Sequence, residues 1–405
     1  MKVLPIKKSG DRVKEELGRG ANISIINLID QLIEKAHTSR ASDIHIDPLE
    51  KVMRIRFRID GVLQDIYSFP KEISNEIISR IKILARLRTD EHQTTQDGRF
   101  RYVLVGEKEQ LSKFIDFRVS IIPTYHGENA VLRLLSDKAE QFTLENLGFN
   151  ATDRKKIEDA LKKSSGMILA TGPTGSGKTT TLYTLIKMLN SKEVSIITIE
   201  DPIEYAVEDV EQIQVNPRSG LTFANGLRSI LRQDPNIIMV GEIRDTETAG
   251  MAVNTALTGH LLLSTLHTND AATTLPRLLD MGIEEYLVAS TVSIAIGQRL
   301  VRKICKHCKE KIELTEKTIL LHSNYVYKGK GCGECNQSGY SGRICINEVL
   351  VADSEIREAI LRKASADEIR KIAVKNGMTT MFEDGFRKVE AGETTIEEVL
   401  RVIHE

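Results

Sequence analysis

Tryptophan is missing from this chain of 405 residues, and aromatic side chains make up only 5% of it. Proteins that grip single-stranded nucleic acid stack bases on aromatic rings, so that class of function has little material to work with here. Charge of one sign is missing too. Fifty-six basic residues stand against 57 acidic ones, a net charge of −1, which gives no global pull towards nucleic acid or anionic lipid. No apolar run approaches the roughly 18 residues that span a bilayer, so direct membrane insertion is not expected. The charged N-terminus (Lys2, Lys7, Lys8, Asp11, Arg12, Lys14, Glu15, Glu16) lacks the apolar centre of a signal peptide, and the chain reads as cytoplasmic, with docking on a membrane protein left open. Cysteine is scarce, at five. Four of the five fall in C-x-x-C pairs, which in a reducing compartment suit a metal better than disulfides.

What is present is ordinary in bulk and specific in detail. Apolar content of 41% and charged content of 28% fit a globular protein long enough for two or three domains. Gly172-Pro173-Thr174-Gly175-Ser176-Gly177-Lys178-Thr179, followed by Thr180, satisfies G-x-x-x-x-G-K-[ST] in full. Its glycines let the backbone turn N–H groups towards phosphate oxygens. Lys178 supplies charge for the β and γ phosphates of a nucleotide, and the Thr179 hydroxyl can ligate Mg²⁺. The context fits: Met167-Ile168-Leu169-Ala170 suits a buried strand, and Leu182, Leu185, Ile186 and Leu189 recur at helical spacing.

Along the chain, residues 1–20 are charged and read as a flexible tail. Residues 21–138 alternate helix and strand signals, giving an α+β domain of about 120 residues. Within it Ile55, Phe57 and Ile59 form the core face of a strand, and Arg54, Arg56 and Arg58 most simply a solvated one. Residues 136–150 look like a connector. From 139 to 300 strands at 166–171, 194–200, 236–241 and 260–266 alternate with helices, the pattern of a parallel α/β sheet. Residues 301–346 are rich in Lys, Cys and Gly, and 347–405 are mostly helical.

Three of those strands carry polar segments to the edge where parallel sheets bind ligands. They are Glu200-Asp201-Pro202-Ile203-Glu204, Gly241-Glu242-Ile243-Arg244-Asp245, and His267-Thr268-Asn269-Asp270. Hydrolysis of a γ-phosphate needs carboxylates for the attacking water and the metal shell, with donors for the developing charge. Any one such residue could be a loop side chain, and Asp201 or Asp270 a helix N-cap.

Together these segments resemble the Walker A, Asp box, atypical Walker B and His box of the secretion ATPase superfamily, in the family's order. Arg40-Ala41-Ser42-Asp43-Ile44-His45, Gln96-Asp97-Gly98-Arg99 and Phe117-Arg118-Val119-Ser120 are similar to its preceding domain. The resemblance implies a RecA-like P-loop ATPase core behind a PAS-like α+β domain. It also implies an ATP-hydrolysing ring motor, a homohexamer, that powers type II secretion or type IV pilus assembly through an inner-membrane platform protein. By the same resemblance Lys178 binds phosphate, Glu200 activates water, Glu242 polarises the Mg²⁺ and water shell, and His267 reports on the γ-phosphate. Arg118 and Arg133 match arginines that reach a nucleotide across a subunit boundary.

Cys305-x-x-Cys308 and Cys332-x-x-Cys335 leave 23 residues between them. Two such knuckles can close tetrahedrally on Zn²⁺ as a structural site, and family members that drive secretion or pilus extension carry a matching tetracysteine insertion. Cys345 stands apart and reads as a buried packing thiol. Larger relatives carry a further N-terminal domain that docks on a membrane partner. About 20 residues precede the shared region here, so either docking differs or the sequence is a shortened form. Two other functions remain open at this point: a P-loop nucleic-acid translocase, which the charge balance disfavours, and a non-hydrolysing ATP-binding assembly protein.

Overall fold

Strict alternation builds the first unit. In the computed structural model, which describes residues 11–104, 113–135, 142–313 and 323–404, every second residue of Val52–Ile59 is buried. Helices α1 (Arg12–Leu17) and α2 (Ile25–Thr38) precede strands β1 (Ala41–Pro48), β2 (Val52–Ile59) and β3 (Val62–Pro70). Helix α3 (Ser74–Leu84) and strands β4 (Gln96–Leu104), β5 (Lys113–Thr124) and β6 (Gly127–Leu135) complete the unit. The strands make one antiparallel sheet, in the order β3-β2-β1-β6-β5-β4. One face packs Ile55, Phe57, Phe117 and Leu132 with Leu28, Leu32 and Ile33 of α2 and Ile77 and Ile81 of α3, a period of two meeting a period of 3.6.

The other face is charged but not simply solvated. Asp43 lies opposite Arg58 on one side and Arg133 on the other, and Asp47 lies opposite Arg54. Arg56 Nε reaches Asp47 at 2.6 Å, and the Nε atoms of Arg54 and Arg58 stand 3.6 Å from Asp47 and Asp43. The three arginines are therefore charge-paired across strands, because β1 brings a matching acidic face beside them.

The expected tail is also corrected where it is described; residues 1–10 lie outside the described residues. Residues 12–17 form α1, with Val13 buried in the core beside α2. Glu16 accepts the Ser24 N–H at 2.8 Å, and Tyr67 donates to Asp11 at 2.6 Å. Val13 and Leu17, four apart, give this short segment an apolar side.

The second unit, residues 141–405, opens with α4 (Leu144–Leu147), α5 (Ala151–Leu161), β7 (Gly166–Thr171) and α6 (Lys178–Leu189). Next come β8 (Ile196–Glu200), β9 (Glu211–Gln214), α7 (Phe223–Ile230), β10 (Ile237–Val240), α8 (Thr246–Leu257) and β11 (Leu261–Leu266). Helices α9 (Ala271–Asp280) and α10 (Glu285–Thr291) lead to β12 (Val292–Ile304), β13 (Lys309–Glu313), β14 (Tyr325–Gly329) and β15 (Tyr340–Val351). Helices α11 (Ser354–Leu361), α12 (Ala366–Lys375), α13 (Met381–Glu390) and α14 (Ile396–His404) end the chain.

Seven strands form the central sheet, β15-β12-β7-β11-β10-β8-β9. All neighbours are parallel except β12 and β15. The inner strands are buried end to end, as a sheet covered on both faces requires. The supposed connector at 136–150 belongs in part to this unit: 136–141 lie outside the described residues, while Leu144 and Phe149 are buried in its core. Residues 301–346 are likewise less separate than their composition suggests. Their two ends belong to β12 and β15, paired strands of the main sheet, and Val326 of β14 between them packs against the cluster of Val301, Phe386 and Val389.

Candidate functional site

Strand β7 runs straight into the glycine loop, and α6 begins at Lys178. Gly172, Gly175 and Gly177 hold φ of 144°, 79° and 91°, values that side chains resist. At Gly172 the space is closed as well, since a Cβ would stand 2.5 Å from the backbone oxygen of Gln298. Pro173, Thr174 and Gly175 are exposed at the rim, Thr179 and Thr180 half-buried. Lys178 turns back on the loop, donating to the carbonyls of Gly172 at 2.8 Å and Pro173 at 3.0 Å. Burial pulls its pKa down to about 8; the Glu242 carboxylate opposes this and Arg299 adds to it. The buried Ser176 hydroxyl oxygen has no hydrogen-bond partner among the described residues, which leaves the loop with polar capacity to offer an anion.

Strand β10 delivers Glu242 next to this loop, near enough for its charge to act on Lys178. Both its oxygens are engaged, one by Arg244 at 2.7 Å and the other by His267 Nε2 at 3.0 Å. His267 stands at the end of β11. The next residue is locked to the loop's entry: the Thr171 hydroxyl bonds the carbonyls of Leu266 and Thr268 at 3.1 and 3.0 Å and accepts the Thr268 N–H at 3.2 Å. Lys178, Glu242 and His267 thus converge on one edge of the sheet. Asp270 caps α9 by accepting the Thr273 N–H at 2.8 Å.

Glu200 ends β8 in a more enclosed setting. It is 2% exposed and accepts from Thr198 at 2.6 Å, from Gln212 at 3.1 Å and from the Tyr183 hydroxyl. Burial raises its pKa, against the pull of those three donors. Three donors on a buried carboxylate describe an anchored group, with little acceptor capacity left over for a water. Tyr183, Gln212 and Arg244 are partners that sequence reasoning misses. Their positions relative to the two glutamates follow from sheet order and helix phase, which no local motif encodes. Arg118 and Arg133 lie opposite each other on β5 and β6 of the first unit, and Arg133 Nε binds Asp43 at 2.8 Å.

The four cysteines come together at the ends of β12 and β15, with the β13–β14 ribbon between the pairs. Their sulfurs lie within 4.8 Å of one another, with 3.9 Å from Cys305 to Cys332, 3.8 Å from Cys308 to Cys335 and 3.7 Å from Cys332 to Cys335. Four thiolates at tetrahedral zinc distances would stand about 3.8 Å apart. The donor set could therefore hold a metal ion. Against burial, N–H donation from Cys332 and Gly339 lowers the pKa of the Cys335 thiol, while burial raises that of the Cys308 thiol. Cys345 lies apart and buried, its thiol pushed up to about 12 by burial, as a packing residue would be.

A phosphate-loop strand–helix unit on a parallel sheet, with acidic and histidine-bearing strand ends beside it, defines a P-loop ATPase fold. The chain belongs to the type II/IV secretion system protein family, whose model matches residues 20–401. It is 47% identical over 387 residues to type II secretion system protein E of Xanthomonas campestris, covering 93% of this chain and 67% of that one. With the type IV pilus assembly ATPase PilB of Myxococcus xanthus it shares 42% identity over 403 residues, covering 97% and 70%. Among solved structures, the pilus retraction motor PilT with bound ADP aligns with a TM-score of 0.62 and 26% identity, covering 92% of this chain and 96% of that one. The Legionella pneumophila ATPase DotB aligns at 0.68 and 24% identity, covering 93% and 95%. Among the described residues no helix is long and apolar enough to cross a membrane.

Proposed function

We propose that this P-loop ATPase is a cytoplasmic ring motor, a homohexamer that turns ATP hydrolysis into work on an inner-membrane platform protein in type II secretion or type IV pilus assembly. The observation that carries the reading is the Glu242 carboxylate held between His267 and Arg244 beside Lys178. A loop that only bound phosphate would need no such assembly; a hydrolytic site does.

In this reading Gly172 to Thr180 cradle the phosphates, and Lys178 exchanges its two loop carbonyls for phosphate oxygens. Thr179 would hold Mg²⁺ and Glu242 would polarise its water shell, the ion when bound neutralising charge on the phosphate oxygens. His267, tied to Glu242, senses the γ-phosphate and passes its presence to the end of β11. Glu200 serves as base once one of its three donors gives way. Arg118 and Arg133 complete a neighbouring subunit's site. Cys305, Cys308, Cys332 and Cys335 hold Zn²⁺ as a structural closure, which fits motors that extend filaments.

Purified protein with Mg·ATP tests this by turnover and mass. Steady hydrolysis by an assembly of six copies is expected. A monomer without turnover in every condition overturns the motor, and turnover that rises only with added DNA favours a nucleic-acid translocase.

A further inference from the structure

We infer that Gln298 is the residue that positions the phosphate loop, tying its backbone in the shape that receives a nucleotide. The inference rests on reading residues 172–180 as the phosphate cradle and adds to that cradle a residue outside it. Strand β12 runs parallel to β7 with Gly297 opposite Thr171, so the following residue comes alongside the loop as it leaves the sheet. Gln298 is 1% exposed. Its Nε2 donates to the Ser176 carbonyl at 2.8 Å, and its Oε1 accepts from the Thr181 hydroxyl at 2.9 Å. Its backbone oxygen closes the space over Gly172, and Nε2 stands 3.1 Å from where a Cβ at Gly177 would be. One side chain and its own carbonyl thus touch both shoulders of the loop and the first turn of α6.

The chemistry explains why an amide is needed. A trans peptide points its C=O and N–H in opposite directions. Tying the Ser176 carbonyl back to β12 therefore turns the Gly177 N–H the other way, into the concave side where phosphate oxygens would bind. The Ser176 carbonyl can be met only by a donor, and the amide supplies one while its oxygen accepts from the Thr181 hydroxyl. An ionised carboxylate offers acceptors alone, and an alkyl group neither. The strand that carries Gln298 is itself fixed: Arg299 Nε donates to the Val402 carbonyl at 3.1 Å, and Arg302 bonds Glu398 of α14 through its backbone N at 2.9 Å and its guanidinium at 2.6 Å. The amide therefore has a rigid base to act from.

The test compares Mg·ADP binding by the full chain carrying Gln298→Leu, Gln298→Glu or Thr181→Val. Gln298→Leu should weaken binding about tenfold, the scale of a buried hydrogen-bond pair lost to phosphate-loop geometry. Gln298→Glu should match it at about pH 8, then regain affinity relative to the native protein towards about pH 6, the range into which burial lifts a carboxyl, because the neutral acid again has one donor and one acceptor. Thr181→Val keeps the Ser176 bond and should stay within about threefold. A role confined to packing would leave Gln298→Leu, close to glutamine in volume, binding about as tightly as the native protein. Gln298→Leu binding as tightly as the native protein overturns the inference, and so does Gln298→Glu with no pH-dependent recovery. If Gln298→Leu does not fold, the pH dependence within Gln298→Glu still decides. Failure of the native protein itself to bind Mg·ADP removes the nucleotide reading and this inference with it.

Discussion

The phosphate loop and the tetracysteine cluster stand on one sheet and are finished to different degrees. In the loop, Lys178 bonds carbonyls of its own backbone and the Ser176 hydroxyl oxygen is buried without a partner among the described residues. In the cluster, all four sulfurs already lie within 4.8 Å of one another, three of the pairs at 3.7 to 3.9 Å. A site that binds and releases a ligand keeps polar capacity unmet and meets it only in passing. A site that holds a shape for good has its donors gathered in advance and leaves no coordination position for water. The chain sets the two along one strand, the loop beside the middle of β12 and the cluster just past its end.

The largest effect should come from outside both regions. Arg118→Ala or Arg133→Ala should lower ATP turnover by about 10³-fold or more, the worth of an arginine supplied to a phosphoryl-transfer site. Mg·ADP affinity should stay near native. Turnover of the mixed assembly with Lys178→Ala protein checks the trans assignment: the Lys178→Ala subunit should lend its arginines to the intact phosphate loop of the arginine variant and restore a competent site there. No recovery on mixing would locate the arginines' work within their own subunit.

Next in size is Lys178→Ala, which should cost about 10²–10³ in turnover, as loss of a charge-stabilising donor does, with bound metal per chain unchanged. The cluster should give the mirror image. Cys308→Ser or a strong chelator should empty the metal and lower the melting temperature by several degrees, while turnover at low temperature falls by less than about tenfold. The contrast between an open and a closed site breaks if metal removal abolishes turnover in a still-folded protein.

How much of this was legible depended on whether a signal was local. The loop at 172–179 was legible because its spacing is itself the mechanism, and β7, β8, β10 and β11 because each is an apolar run ending in polar residues. Helices α12 and α13 begin and end as their periodicity and caps imply, Thr380 and Glu383 forming a reciprocal cap at α13. Strand β12 was not legible: it follows α10 with no turn between them, and its central role depends on lying between β7 and β15, a property of sheet order. Arg54, Arg56 and Arg58 declared an outward face but not the aspartates that β1 would set beside them. Glu200 could be expected at a strand end near the site. Its enclosure could not, because one donor lies 17 residues away in α6 and another 12 residues away in β9.

The smallest predicted effect tests the open side of the comparison by counting protons. Burial holds the pKa of Lys178 near 8 rather than at the usual 10.5. The folded protein therefore binds fewer protons than the unfolded chain between those values. The stability cost of the buried charge is present in full below about pH 8 and fades as pH rises towards the ordinary lysine value. A phosphate arriving beside the amine restores its charge, so Mg·ADP binding at about pH 8.5 should take up a fraction of a proton. Calorimetry in buffers of different ionisation enthalpy reads that uptake directly. In Lys178→Arg the guanidinium is charged throughout, so its lysine-linked uptake should disappear even where binding persists. Equal uptake in both proteins would mean that Lys178 is charged before the nucleotide arrives, and that the loop is less open electrostatically than its geometry implies.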